Sequence, residues 1–61
     1  MYDIQKVLDK QGRSQTWLAK EIGVQRQQIQ RYCNNVQTPK PAVLKDIAKA
    51  LSVTVKDLIK D

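Results

Sequence analysis

The stretch SQTWLAKEIGVQRQQIQRY, residues 14–32, decides the fold of this chain. Ser14 is a good N-cap, because its hydroxyl can accept a backbone N–H at the start of a helix. Gly23 marks a stop, since a tight turn needs a backbone conformation that glycine adopts cheaply. Ala19 supplies the small side chain required where two helices cross closely at a wide angle. This spacing predicts two short helices joined by a tight turn.

The second helix of this pair, residues 25–33, is predicted to bury one narrow stripe. Its apolar positions are Ile29, Tyr32 and Cys33, with Val24 in the turn before it. Every other side chain in the segment is glutamine or arginine, and none is acidic. Solvated helices usually mix acidic with basic side chains, so this composition favours a partner for the outward face.

Three further helices are predicted, one before this pair and two after it. The first ends at Gly12, the fourth begins at Pro41, and the short fifth begins after Thr54. Their apolar positions recur at helical spacing, namely Ile4, Val7 and Leu8, then Leu44, Ile47, Ala48 and Leu51, then Val55, Leu58 and Ile59. No segment predicts a strand. The expected fold is all-α, a compact five-helix single domain over residues 1–61.

Composition excludes several classes of protein. The chain has 61 residues, one cysteine and no histidine, so we expect no disulfide within it, no metal site and no cofactor. No catalytic constellation is visible, and we expect no enzyme. The apolar runs are too short to span a bilayer, and the N-terminus lacks the layout of a signal peptide. The expected compartment is the cytoplasm.

The positive charge is concentrated in the middle of the chain. The net charge is +5, and residues 25–40 contribute Arg26, Arg31 and Lys40 without a single acid, a net of +3. The flanking segments, 1–24 and 41–61, carry four basic and three acidic residues each. Such a distribution is typical of contact with a polyanion, although charge alone fits a solvated basic face equally well.

The order and spacing of these features resemble the Cro- and phage-repressor-type helix-turn-helix domains, also called the XRE family. The matching stretches are SQTWLAKEIGV, the segment Ile29 to Tyr32, the Pro39 loop, and VLKDIAKALSVTVKDLI. The resemblance covers about residues 4–59. Each part is common by itself, but their order and spacing together are specific.

Three positions depart from the usual family pattern. Cys33 stands where the family often has Glu, Asn35 where Gly is frequent, and Gln25 where a Ser or Thr cap is common. These departures affect helix ends and leave the outward face of the second helix intact. We interpret Cys33 as a small packing residue. For Trp17 we favour partial burial over the alternatives of a protein contact or stacking against DNA.

The resemblance implies that the second helix of the pair lies in the major groove of duplex DNA. Arginine presents a fork that matches two acceptors on guanine, and glutamine can pair with two groups on adenine. By resemblance, the side chains aimed most directly at bases are Arg26, Gln27 and Arg31, and Gln25 and Gln30 complete the base-reading set. The expected function is sequence-specific double-stranded DNA binding by a transcriptional regulator, most simply a repressor.

A second set of polar side chains is expected to hold the phosphate backbone. In the family, the glutamine that follows the N-cap commonly touches a phosphate and braces the recognition helix, which is Gln15 here. Lys40 is the strongest candidate in the polar loop after that helix. The full predicted phosphate-binding set is Arg13, Gln15, Gln28, Asn35, Gln37, Thr38 and Lys40.

The expected partners are duplex DNA and a second copy of the chain. Small domains of this kind usually read DNA as homodimers on palindromic sites, with half-sites about one helical turn apart. The predicted pairing surface is the end of helix five, around Val55, Leu58 and Ile59. An alternative is an antitoxin-like or protein-docking module whose main partner is another protein, but that reading leaves the basic middle segment without a role.

Overall fold

The computed structural model describes residues 2–59 and shows an all-helical fold. It contains four α-helices, α1 Ile4–Lys10, α2 Gln15–Ile22, α3 Arg26–Cys33 and α4 Pro41–Ala50, followed by a 3₁₀ turn, Val55–Leu58. The all-α class is confirmed. The predicted fifth helix is only this single turn. The Thr54 hydroxyl and the Asp57 carboxylate cap it reciprocally, after which the backbone becomes extended at Ile59.

The ends of α2 and α3 follow the predicted local chemistry. The Ser14 Oγ accepts the Trp17 backbone N–H at 3.0 Å. Gly23 adopts a left-handed conformation with φ 73°, and its N–H donates to the Ala19 carbonyl. The helix α3 begins at Arg26, one residue later than predicted, because Gln25 is its extended N-cap. The turn between the helices is therefore short and fixed at both ends.

One hydrophobic cluster holds the helices together. The α2 helix packs against both α3 and α4, and Ala19, only 4% exposed, lies within the buried cluster. This cluster consists of Ile4, Leu8, Leu18, Ala19, Ile29, Tyr32, Leu44, Ile47, Ala48, Leu51 and Leu58. It draws on every helix and on the 3₁₀ turn, so α3 is fixed from several directions. No helix within residues 2–59 is long and apolar enough to cross a membrane.

The two ends of the described chain meet beside the C-terminal end of α3. Tyr2 and Ile59 form an isolated antiparallel bridge, and the Asp3 N–H donates to the Leu58 carbonyl at 2.7 Å. The Asn35 side chain accepts the Tyr2 N–H at 2.8 Å and donates to the Tyr2 carbonyl at 3.3 Å. The Asn35 amide thus exchanges two hydrogen bonds with the Tyr2 backbone, as a peptide group of a neighbouring strand would. Because Tyr2 is paired with Ile59, Asn35 links the end of α3 to both ends of the described chain.

The structure corrects the predicted pairing surface. Leu58 is fully buried in the core, so it cannot meet a second protein, whereas Ile59 is 47% exposed and Val55 is half-buried. The physical reason is that the 3₁₀ turn packs against α4, and this packing places Leu58 inside the domain. Of the three predicted residues, only Ile59 and part of Val55 lie at the surface.

Leu58→Ala is expected to lower the free energy of unfolding by about 2–5 kcal/mol, because it removes a fully buried side chain and leaves a cavity. The matched substitution Ile59→Ala is expected to cost about 1 kcal/mol, because that residue is already 47% exposed. Urea denaturation of both variants measures the difference. Equal losses for the two would show that Leu58 is not a core residue.

Candidate nucleic-acid interface

The outward face of α3 is polar and open to solvent. Ile29 and Tyr32 are buried beneath the helix and Cys33 is half-buried beside them, which fixes its rotation about its own axis. The side chains left on the other faces are exposed and consist of Arg26, Gln27, Gln30 and Arg31. Gln25, the N-cap, is exposed just before them. The structure therefore brings all five predicted base-reading residues together at one surface.

One long edge of this face is bordered by the start of α2. The Gln15 Nε2 donates to the Gln5 Oε1 at 2.6 Å, and Gln15 also lies close enough to Cys33 to influence its thiol. Cys33 lies two turns after Arg26 on the same edge of α3. Gln15 thus contacts the recognition helix, as expected of a bracing residue. Sequence reasoning missed Gln5, which carries no signal in the α1 pattern.

The opposite edge is bordered by the loop between α3 and α4. The Gln28 Nε2 donates to the Tyr32 hydroxyl at 2.8 Å and to the Gln37 Oε1 at 3.0 Å. These bonds lie beside a cleft of about 490 Å³. The cleft is lined by Val24, Gln25, Gln28, Tyr32, Gln37, Thr38, Lys40 and Val43. The predicted loop residues Gln37, Thr38 and Lys40 are thereby gathered at one place.

The N-cap residues of two helices line this same cleft. Gln25 caps α3 and Lys40 caps α4, and neither side chain makes a capping hydrogen bond. The first N–H groups of a helix have no partner within the helix, and they carry partial positive charge. The cleft therefore lies next to the start of α3 and carries the Lys40 cation, and this combination suits an anion.

The outward face of α3 is flanked by polar side chains on both edges. An outward stripe of arginine and glutamine is flanked on one edge by Gln15 and on the other by the Lys40 loop. A helix in the major groove meets base edges along its outward stripe and a phosphate backbone on each side. The arrangement supplies hydrogen bonds and charge. Within residues 2–59, no group of three or more metal-ligating side chains could hold an ion.

Two predicted phosphate-binding residues are tied into the fold itself. Asn35 uses its amide to hold Tyr2, and Gln28 uses its amide nitrogen to hold Tyr32 and Gln37. Asn35 also has φ 58°, so it occupies the left-handed conformation that asparagine tolerates at helix ends. Gln28 lies on α3 and Asn35 just after it, as the sequence predicts, but their bonding partners carry no sequence signal.

Arg13 and Trp17 form a stack at the start of α2. The Arg13 guanidinium lies 4.0 Å from the centre of the Trp17 ring, and its Nε donates to the Gln11 Oε1 at 3.2 Å. Trp17 is half-buried and packs against the core, in agreement with the predicted partial burial. A cation over an indole face is stabilised by the ring quadrupole. The four-residue spacing was the one sequence signal of this pair.

The chain matches a family model and a solved structure. The model described as "Helix-turn-helix" matches residues 4–58. The solved structure is that of "a putative DNA-binding protein from Bacteroides fragilis". It superposes with a TM-score of 0.94 at 32% sequence identity, covering 98% of this chain and 97% of that chain. No curated protein matches the chain.

The thiol of Cys33 is kept neutral by its surroundings. The pKa of Cys33 is raised to about 11, mainly by burial and to a smaller extent by the charge of Asp9, while the Gln15 hydrogen bond acts in the opposite direction. Only the thiolate is nucleophilic, so a raised pKa makes the side chain inert at neutral pH. This fits the interpretation of Cys33 as a packing residue at the junction of α1, α2 and α3.

Cys33 is expected to make stability fall with rising pH between about 9 and about 11, because the unfolded thiol ionises first and the native state binds the extra proton. Cys33→Ala should lack this component, so the difference between the two unfolding curves isolates it. Iodoacetamide at pH 8 should alkylate the native thiol more slowly than the urea-unfolded thiol. An equal rate in the two states would contradict a shielded, neutral Cys33.

Proposed function

This chain belongs to the helix-turn-helix family, and we propose that it is a sequence-specific double-stranded DNA-binding protein that regulates transcription. The observation that carries the proposal is the outward face of α3, where Arg26, Gln27 and Arg31 are exposed together without an acidic neighbour. In this role α3 enters the major groove, and its arginine and glutamine side chains pair with base edges.

Affinity comes mainly from the phosphate contacts on the two edges of α3. Each phosphate that a cation neutralises releases counterions, so binding weakens steeply as salt rises. The charge distribution supports this, because most of the excess positive charge lies in residues 25–40. A partner that was only a protein would leave this acid-free segment without a role. A gel shift on random duplex DNA at low and moderate salt separates the two kinds of partner.

The chain regulates transcription by occupying its DNA site, and the simplest outcome is repression. The compartment in which it acts is the cytoplasm. A domain of 61 residues bound across a promoter excludes polymerase from the same stretch of duplex. The chain acts by binding alone and catalyses no reaction. Selection of bound sites from a random DNA library would give the operator and test sequence specificity directly.

The active species is a homodimer on a palindromic site. Two-fold symmetry places two α3 helices on successive major grooves about one helical turn apart, and this doubles the contacts without a larger domain. Ile59 is 47% exposed, although large apolar side chains in this domain are mostly buried, and Val55 beside it is half-buried. These two residues form the proposed pairing surface, with Leu58 supporting it from within.

Arg26→Ala is expected to change the ranking of DNA sites and to cost about 1–3 kcal/mol on the preferred site, because it removes contacts to a base. Lys40→Ala is expected to weaken every sequence alike and to reduce the salt slope by about one unit, because it removes one phosphate contact. Titrations on the selected site and on a scrambled duplex, at several salt concentrations, measure both. Equal weakening on both duplexes would remove Arg26 from the base-reading set.

Ile59→Asp is expected to abolish cooperative binding to a palindrome while leaving half-site affinity within about twofold, since it places a charge on the pairing surface and touches no DNA contact. Quantitative gel shifts on full and half sites give both constants. Lys56→Gln, one turn earlier and exposed, is the matched control, because it changes the net charge by the same single unit. Binding of the native chain to a palindrome only as a monomer would exclude the homodimer.

A further inference from the structure

Both amide hydrogens of Gln28 are used in hydrogen bonds within the protein. A glutamine amide nitrogen carries two hydrogens, and in Gln28 one goes to the Tyr32 hydroxyl at 2.8 Å and the other to Gln37 Oε1 at 3.0 Å. A phosphate group offers only acceptors at neutral pH. In this arrangement Gln28 has nothing to donate to a phosphate, so any effect it has on DNA must pass through its two partners.

These two hydrogen bonds orient the side chains of Gln37 and Tyr32. The amide of Gln37 is planar, so when its Oε1 faces Gln28, its Nε2 must face away from Gln28, and the Gln37 side chain is exposed beside the cleft. The Tyr32 hydroxyl accepts from Gln28 and keeps its own proton to donate. The Tyr32 residue is only 5% exposed, so its ring is fixed in the core and the hydroxyl cannot move far.

We propose that Gln28 is a positioning residue, which turns the Gln37 amide and the Tyr32 hydroxyl so that both donate to one phosphate of the DNA backbone in the cleft beside Lys40. The inference rests on the proposed DNA-binding function and adds the means by which one phosphate contact is assembled. Tyr32, Gln37 and Lys40 all line the same cleft of about 490 Å³, so three donors of this kind can converge on one group.

The hydrogen bonds of Gln28 preorganise the phosphate contact. A free glutamine on a loop loses side-chain entropy when it binds, and an amide can present either its oxygen or its nitrogen. The hydrogen bond from Gln28 fixes the orientation of the Gln37 amide in the free protein, before DNA binds. It also ties residue 37 to α3, so the loop takes its position from the same helix that carries the base-reading side chains.

The test is a double-mutant cycle on DNA affinity. Gln28→Met removes the amide and keeps the length of the side chain, and Gln37→Met removes the proposed phosphate donor. Each is expected to weaken binding to every duplex by about ten- to a hundredfold, the range for a hydrogen bond to a charged group. The double variant should lie within about twofold of Gln28→Met, because Gln28 acts on the Gln37 donor, and any further loss relative to Gln37→Met is the part that acts through Tyr32.

Gln27→Met is the matched control, since Gln27 is the neighbouring glutamine on α3 and is exposed. Its effect should depend on the DNA sequence and should add to that of Gln37→Met. Thermal unfolding of each variant establishes the temperature at which all are folded. A lowered melting temperature of Gln28→Met with unchanged affinity would mean a purely structural role and would overturn the proposal.

A methylphosphonate scan gives a readout that a purely structural role would not move. Neutral methylphosphonate replaces one phosphate of the binding site at a time, and the native chain should lose affinity at the phosphate in the cleft. In Gln28→Met the penalty at that one position should shrink several-fold, while penalties elsewhere stay unchanged. A penalty that is the same in both proteins, or additive losses in the cycle, would overturn the inference. Failure of the native chain to bind any duplex would instead refute the proposed function itself, before any variant is compared.

Discussion

The rest of the structure depends on one constraint, which is that α3 must be anchored through one stripe while its opposite face stays free. An eight-residue helix is far too short to be stable alone in water. It persists because Ile29 and Tyr32 are buried in the common core. The same two residues leave the glutamine and arginine side chains on the solvent side. The same apolar pattern therefore anchors α3 in the core and exposes its arginine and glutamine side chains. If the apolar stripe were moved around the helix, both properties would be lost.

A small domain has little apolar area with which to hold such a helix, so specific hydrogen bonds supplement the core. Asn35 joins the end of α3 to the Tyr2 backbone, and Tyr2 in turn pairs with Ile59. At the start of α2, Gln15 lies against Gln5 and Cys33. These polar contacts hold the C-terminal end of α3 and its edge next to α2, and they leave its outward face free. The result is a helix whose direction is set by residues from both ends of the chain.

The helices and their limits were predictable from the sequence, because they follow local rules. The caps at Ser14 and Thr54 and the left-handed positions at Gly23 and Asn35 each depend on residues within one turn. The outward face of α3 was also predictable, since it is the complement of the apolar stripe. Leu58 was misplaced, because apolar spacing alone does not distinguish a continued α-helix from one 3₁₀ turn. The pairing of Asn35 with Tyr2 joins residues 33 positions apart, and no periodicity encodes it.

The two kinds of polar residue around α3 differ in how freely they can change. Arg26, Gln27 and Arg31 are exposed and lie opposite the buried stripe, so a new side chain at these positions alters the outward face and leaves the core intact. Gln28 and Asn35 are bonded to other segments, so a change there alters the geometry of the loop or of the chain ends. The side chains that face a ligand are therefore different from those that hold α3 in place. Under the proposed function, such a separation allows DNA preference to change without loss of the fold, because the free energy of folding resides in different side chains from those that select a site.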